Sequence, residues 1–113
     1  MKYIQQAVKD AQPSMGVDGV NATLGDTVIS GDKDKTICAG FFHLNKSDEP
    51  LVYTYDYEEM KYIAEGEFII SDESGKQVHA KVGDVLYFAN GETITFTTPS
   101  RGVGFFVGQR NPI

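Results

Sequence analysis

The side chains best suited to chemistry lie between Leu51 and Phe68, in the stretch LVYTYDYEEMKYIAEGEF. Tyr53, Tyr55 and Tyr57 are separated there by single residues. Such alternation places side chains on one face of a β-strand, so we predict that the three rings share a face. Phenol hydroxyls can donate hydrogen bonds to an oxyanion, which makes this face a candidate binding or catalytic surface.

An acid and a lysine follow the tyrosines at a spacing that also suits one strand face. Lys61 lies two residues after Glu59 and shares its face if the strand continues. In one interpretation, Glu59 is the general acid or base of a metal-independent enzyme, and Lys61 holds an anionic group of a small substrate. Tyr53 and Tyr55 then donate hydrogen bonds to a developing oxyanion. These four residues are the predicted catalytic set.

Two other interpretations need no catalysis. The chain could form a binding barrel that senses or carries a small carboxylate or another polar metabolite. Alternatively, Glu59 and Lys61 form a buried structural pair, or Lys61 extends outward, and the tyrosines are core aromatics. An enzyme needs an open mouth and a proton path to Glu59, whereas a dry, filled interior favours a structural role.

A second group of residues is predicted to form the ligand-binding wall. His43 ends the run GFFHL and alternates with Phe41, so we predict that it points into the mouth of the barrel. A lone histidine is also common as a satisfied structural residue, and that alternative stays open. The other predicted ligand-binding residues are Tyr57, Ile94 and Phe96.

The elements that would position these residues are about eight short strands, bounded by Gly, Pro, Asn and Asp, with no long helix. The segments with strand character are 20–30, 35–44, a pair within 51–68, 68–71, 76–81, 85–89, 92–98 and 103–109. This pattern predicts an all-β fold. Glu65-Gly66-Glu67 is typical of a tight turn, since glycine adopts backbone conformations that other residues resist.

The spacing of the glycines indicates which kind of all-β fold the chain adopts. Six residues separate Glu59 from Gly66, and Gly83 is followed by five residues, Ala89, one residue and Gly91. Together these patterns resemble the two motifs of the RmlC-like cupin superfamily, over most of the chain. The resemblance implies a single-domain cupin, a jelly-roll β-barrel, with Glu59 facing its centre. We place this domain at 1–113, with an N-terminal arm over about 1–20 and the barrel over about 21–110.

The same resemblance implies a metal held by two His and a Glu from the first motif and one His from the second. Tyr53, Tyr55 and Ile94 stand at the three His positions here, and Glu59 alone is retained. A carboxylate with phenols is a weak ligand set for a transition metal, so we predict no cofactor, with Lys61 in the electrostatic role of the ion. A metal held by Glu59, in a weakly metal-dependent lyase or isomerase, is the alternative.

The string YTYDYEEMKYIAEGEF resembles the ethanolamine-utilisation cupins of the EutQ type, which also lack the His ligands. The segments Gly83–Val85 and Thr97–Pro99 agree with that subfamily. The resemblance implies an association with ethanolamine catabolism and with acetate kinase activity. The residues themselves contain no glycine-rich phosphate loop of the Walker type, so they give no independent support for ATP use.

Charge and composition argue against several kinds of partner. The net charge of -6 disfavours nucleic acid and anionic lipid, and no window approaches the ~18 apolar residues of a membrane helix. The start, MKYIQQAVKDAQ, lacks the apolar core of a secretory signal, and Cys38 is the single cysteine, so we expect a cytoplasmic protein with a buried strand thiol.

Because a small barrel buries limited surface, we also expect a homodimer, with Tyr3, Ile4 and Val8 across a partner strand.

Overall fold

Eight antiparallel β-strands and one short 3₁₀ helix make up the regular structure, as seen in a computed structural model that describes residues 1–113. The helix is Ala7–Lys9, and the strands are β1 (Ala22–Ile29), β2 (Ile37–Asn45), β3 (Leu51–Thr54), β4 (Glu58–Ser71), β5 (Gln77–Lys81), β6 (Val85–Phe88), β7 (Thr93–Thr97) and β8 (Arg101–Gln109). The all-β prediction is confirmed. No helix is long and apolar enough to cross a membrane.

The strands form two sheets that share one long strand. One sheet has the order β1-β2-β8-β4-β6, and the other has the order β5-β4-β7-β3. The first part of β4 pairs with β6 and β8, and its last part pairs with β5 and β7. Because β4 passes from one sheet into the other, the two sheets close into a roll around one interior.

Aromatic side chains fill much of the space between the sheets. Phe42, Phe68 and Phe106 are at most 1% exposed, and the rings of Phe42 and Phe68 stack with centroids 5.6 Å apart. Burying each ring contributes roughly 1.5–3 kcal/mol to stability. Cys38 on β2 is buried as predicted, and this burial raises the pKa of its thiol.

Gly66 does not form the predicted turn, and that prediction is wrong. β4 runs through Gly66 without reversing, and its pairing with β8 shifts register between Ile63 and Glu65. Gly66 has a φ of 64°, and a Cβ there would lie 2.0 Å from the carbonyl oxygen of Arg101. Glycine at this position therefore permits a left-handed backbone and a close approach to β8, just after the β-bulge in β4.

The alternation predicts that Tyr53, Tyr55 and Tyr57 share one face of a single strand, and this is also wrong. β3 ends at Thr54, the chain bends at Asp56 and Tyr57, and only then does β4 begin. The Gly91 N–H donates to the Tyr55 carbonyl oxygen at 2.7 Å, which ties the bend to the turn between β6 and β7. The three rings therefore converge through a bend rather than along a strand.

The segment before β1 lies along the edge of that strand. The Leu24 N–H donates to the Pro13 carbonyl at 3.0 Å, and the Met15 N–H donates to the Ala22 carbonyl at 3.0 Å. These bonds cover an edge that would otherwise present unpaired backbone groups. They also bring Met15 to the opening of the barrel.

Gly66→Ala should lower the free energy of unfolding by about 3 kcal/mol or more, since the new methyl group meets backbone and the left-handed conformation disfavours alanine. Gly75→Ala is a matched control, because Gly75 has a φ of 89° but an added Cβ would meet nothing within 4 Å. The control should lose only about 1–2 kcal/mol. Chemical denaturation of both variants measures the difference, and equal losses would contradict the role of the close approach.

Candidate active site

A cavity of about 360 Å³ lies in the barrel interior, beside the bend between β3 and β4. Its lining consists of Ser14, Met15, Leu24, Phe42, Leu51, Tyr53, Tyr55, Tyr57, Glu59, Lys61, Phe96 and Ile113. Ser14 and Ile113 are exposed, and Tyr53 and Tyr57 are half-buried, so these residues mark the mouth. The interior is therefore not filled, and solvent has a path towards Glu59.

The floor of the cavity carries a buried pair of opposite charges. Glu59 and Lys61 are each 3% exposed, and Lys61 Nζ lies 3.3 Å from Glu59 Oε2. The Tyr55 hydroxyl donates a hydrogen bond of 2.6 Å to the same oxygen. Regular alternation along β4 turns both charged side chains inward, as the spacing predicted.

Aromatic rings surround the ammonium group of Lys61 on the sides away from Glu59. Its Nζ lies 4.6 Å from the ring centroids of Phe42 and Phe96 and 5.6 Å from that of Phe88. A cation over ring faces is attracted by their negative potential, and the attraction increases when water is excluded. The rings thus offset part of the cost of burying the lysine.

Burial shifts the pKa values of the two groups that contact Glu59. Burial lowers the pKa of Lys61, and the Glu59 carboxylate opposes only part of that shift. Burial, followed by the charge and hydrogen bond of Glu59, raises the pKa of Tyr55 well above its usual range. Tyr55 therefore remains a hydroxyl donor at any ordinary pH, whereas Lys61 is easier to deprotonate than an exposed lysine.

Two further tyrosines form the wall near the mouth. The hydroxyls of Tyr53 and Tyr57 are 3.2 Å apart, and both rings pack edge-on against Tyr55, with centroids 4.7 and 5.4 Å away. Burial and the hydrogen bond to Tyr53 raise the pKa of Tyr57. These hydroxyls give the mouth polar groups above an apolar interior.

A second hollow of about 470 Å³ lies outside this wall and shares Tyr53, Tyr57 and Ile113 with the cavity. Arg110 borders it, donates to both carboxylate oxygens of Asp26 at 2.7 and 3.0 Å, and lies 5.4 Å from the Tyr57 ring centroid. Burial would lower the pKa of Arg110, but the bonds to Asp26 outweigh it and raise that pKa. Arg110 is therefore held by Asp26 in a position where its guanidinium packs over the Tyr57 ring at the mouth.

Six of the eight residues predicted for the site lie together in the cavity lining: Tyr53, Tyr55, Tyr57, Glu59, Lys61 and Phe96. The other two do not. His43 directly follows Phe42 on β2, so its side chain lies on the opposite face of the strand and points away from the cavity. Burial, and next the charge of Arg101, lower the pKa of His43 there. Ile94 is 2% exposed and belongs to the hydrophobic core behind Tyr53, its partner across β3 and β7.

Several lining residues were not predicted from the sequence. Phe42 could have been found, because it alternates with the buried Leu44 in the stretch ICAGFFHLN. Met15, Leu24 and Ile113 carry no local sequence pattern that marks them, since only the folded topology brings these distant segments to one mouth.

The residues at the metal position that the cupin resemblance implies do not fit a metal ion. No group of three or more His, Cys, Asp and Glu side chains is arranged to hold one. Glu59 already contacts the Lys61 ammonium, and Ile94, at the position of the second motif's His, packs in the core. A divalent cation beside Glu59 would be repelled by the adjacent ammonium.

Lys61→Met should lower the free energy of unfolding by about 3 kcal/mol or more, because it leaves the Glu59 carboxylate buried without its cation. Lys61→Met combined with Glu59→Gln should recover part of that loss. Lys81→Met, at an exposed lysine, is the control and should change stability by less than about 0.5 kcal/mol. Denaturant titration of the variants measures these values, and a single Lys61→Met variant as stable as the parent would contradict the pairing.

Comparison with known proteins supports a family assignment. The family model described as "Ethanolamine utilisation protein EutQ" matches residues 1–108. Acetate kinase EutQ of Escherichia coli (strain K12) is 33% identical over 73 residues, which cover 65% of this chain and 30% of that protein. The chain spans about a third of the length of the curated relatives it matches.

Solved structures show the same fold. The Clostridium difficile EutQ protein superposes with a TM-score of 0.72 at 18% identity, over 87% of this chain and 75% of that one. An RmlC-like cupin from Shewanella frigidimarina gives a TM-score of 0.69 at 15% identity, over 98% and 93% of the two chains. The predicted cupin fold is confirmed, and the chain belongs to the EutQ family of ethanolamine utilisation proteins.

Proposed function

We propose that the barrel binds a small molecule with a polar or anionic group, and that Glu59 and Lys61 act on that group at the floor of the cavity. One observation carries this proposal: both members of a buried ion pair line a cavity of about 360 Å³ whose mouth is formed by exposed and half-buried residues. Pockets with apolar walls and a few convergent polar groups are typical ligand sites.

The geometry supports a proposed chemical role for each polar group. Glu59 can accept or donate a proton, and Lys61 can hold an anionic group or exchange its proton with Glu59 across 3.3 Å. Tyr55 keeps Glu59 oriented through its 2.6 Å hydrogen bond. Tyr53 and Tyr57, nearer the mouth, supply hydroxyls for a second polar atom of the ligand.

A purely structural role explains the pair less well. Replacing a buried ion pair by apolar residues of similar volume is often neutral or stabilising, so the pair is not needed for stability alone. A structural pair would also be packed on all sides, whereas Glu59 and Lys61 both border open volume. A non-catalytic binding barrel remains the second candidate function, and it shares the same ligand site.

The names of the curated relatives suggest a first set of ligands. Two of them are called acetate kinases, and acetate is a small carboxylate that the cavity could hold beside Lys61. We therefore extend to this chain only the class of ligand, a short-chain carboxylate or a related polar molecule.

Acetate and propionate should shift NMR resonances of the β3–β4 bend and of β7 in a saturable way, because they enter the cavity between these elements. Tyr53→Phe should weaken this binding by about tenfold, through loss of one hydroxyl donor, while stability changes by less than about 1 kcal/mol. Tyr87→Phe is the control, because Tyr87 is exposed outside the cavity. Saturable shifts that map elsewhere, or equal affinity in the two variants, would overturn the proposal.

We further propose that the chain forms a homodimer through the outer face of the sheet that contains β6, β4 and β8. Met60 and Tyr62 on β4 lie beside Tyr87 and Val85 on β6, and Met60 is also opposite Val107 on β8. Met60 is 59% exposed and Val85 72%. A contiguous apolar face on neighbouring strands marks an interaction surface, and a two-fold interface can bring such a face against its own copy.

Met60→Lys should convert the dimer to a monomer in light scattering at micromolar concentration, because it places a charge in the centre of this face. Val52→Lys, at a similarly exposed residue outside the face, should leave the dimer intact. Ile4→Lys tests the N-terminal arm that the sequence suggested. A monomeric parent would contradict the dimer, and dissociation by Ile4→Lys alone would place the interface on the arm.

A further inference from the structure

We propose that Lys61 condenses with a small aliphatic aldehyde or ketone in the cavity and forms an imine with it. This inference rests on the proposed function, since it names the substrate class for the same cavity. A lysine amine that is deprotonated is a strong nucleophile toward carbonyl carbon, and buried lysines beside apolar surface commonly serve this chemistry.

The position of Lys61 suits attack on a ligand. Its amine lies at the floor of the cavity, whereas every other lysine of the chain is exposed on the surface. Its stem is held against β8, where a Cβ at Gly104 would approach Lys61 Cδ to 2.8 Å. A stem fixed in this way directs the amine into the cavity. Because the side chain is already ordered, attack on a ligand costs less conformational entropy.

The walls select the kind of carbonyl compound. Met15, Leu24, Leu51 and the rings of Phe42 and Phe96 give the cavity an apolar lining that suits a short hydrocarbon chain. The charges of Glu59 and Lys61 cancel, so an uncharged ligand can enter without leaving a net charge buried. An aldehyde or ketone meets both conditions.

The proton transfers balance within the pair. Glu59 takes a proton from the Lys61 ammonium. The free amine then bonds to the carbonyl carbon, and a proton moves from the nitrogen to the former carbonyl oxygen to give a carbinolamine. Glu59 then returns its proton to the carbinolamine hydroxyl, which leaves as water while the C=N bond forms. The product is a protonated imine beside a carboxylate, so the pair has the same charges as at the start.

The surroundings of Lys61 also stabilise the product. A protonated imine keeps its positive charge on the same nitrogen, 4.6 Å from the ring centroids of Phe42 and Phe96 and beside Glu59. The rings attract that charge as they attract the ammonium. Burial, which lowers the pKa of Lys61, adds to the fraction of free amine available near neutral pH.

Reductive trapping tests the inference on the unmodified protein. The chain is treated with propanal and sodium cyanoborohydride at pH 7, and the modified lysines are located and timed by peptide mass spectrometry. Lys61 should be alkylated about tenfold faster than the exposed Lys81. When the labelling is repeated over a series of pH values, the rate at Lys61 should level off below pH 10.5, the ordinary pKa of a lysine. Lys61→Met should remove this fast phase, and Lys81→Met should leave it unchanged.

Two results would overturn the imine: labelling confined to exposed lysines, or labelling of Lys61 no faster than that of Lys81. Propionate separates this failure from failure of the proposed function, because it resembles propanal in size but forms no imine. If propionate shifts cavity resonances while Lys61 stays unlabelled, the imine is rejected and the binding site stands. If neither compound reaches the cavity, both proposals are rejected.

Discussion

Two opposite charges buried side by side in an aromatic barrel are the constraint around which the rest of the site is arranged. Removing Glu59 and Lys61 from water costs several kcal/mol per ion. The groups that offset this cost come from different parts of the chain. They are the Tyr55 hydroxyl in the bend after β3, the Phe42 ring on β2 and the Phe96 ring on β7. The pair therefore links both sheets and the bend, and a change in any of them alters its surroundings.

Small residues on β8 make room for the large side chains of the site. Gly104 faces the stem of Lys61, and Gly108 faces the ring of Tyr57, where an added Cβ would lie 3.1 Å from a ring carbon. In the stretch RGVGFFVGQ these glycines share the inward face with the buried Phe106. Because the wall is thin at these points, a long lysine and a tyrosine fit inside a barrel of only eight strands.

The sequence predicted the contact between Glu59 and Lys61 because both lie in a regular part of β4, where a spacing of two fixes the face. It placed the three tyrosines on one strand where the chain bends instead, since alternating aromatic residues look the same whether rings meet along a strand or around a bend. It also placed His43 inside, because aromatic residues lie on both faces of β2 and alternation alone does not show which face is inward. The strand pairing that decides this is non-local, and so are the contacts that bring the two chain ends to the mouth.

The aromatic cage determines what kind of site the charged pair can be. A second carboxylate beside Lys61 would hold its proton firmly, whereas ring faces attract the cation without accepting the proton. Glu59 is the one carboxylate in the cavity lining and lies 3.3 Å from Lys61, so it is the group with which Lys61 can exchange a proton. Exchange converts the ion pair into a neutral acid and amine with no change in net charge, so the interior can shift between the two forms without a counter-ion. A buried pair packed on all sides would have no use for that property.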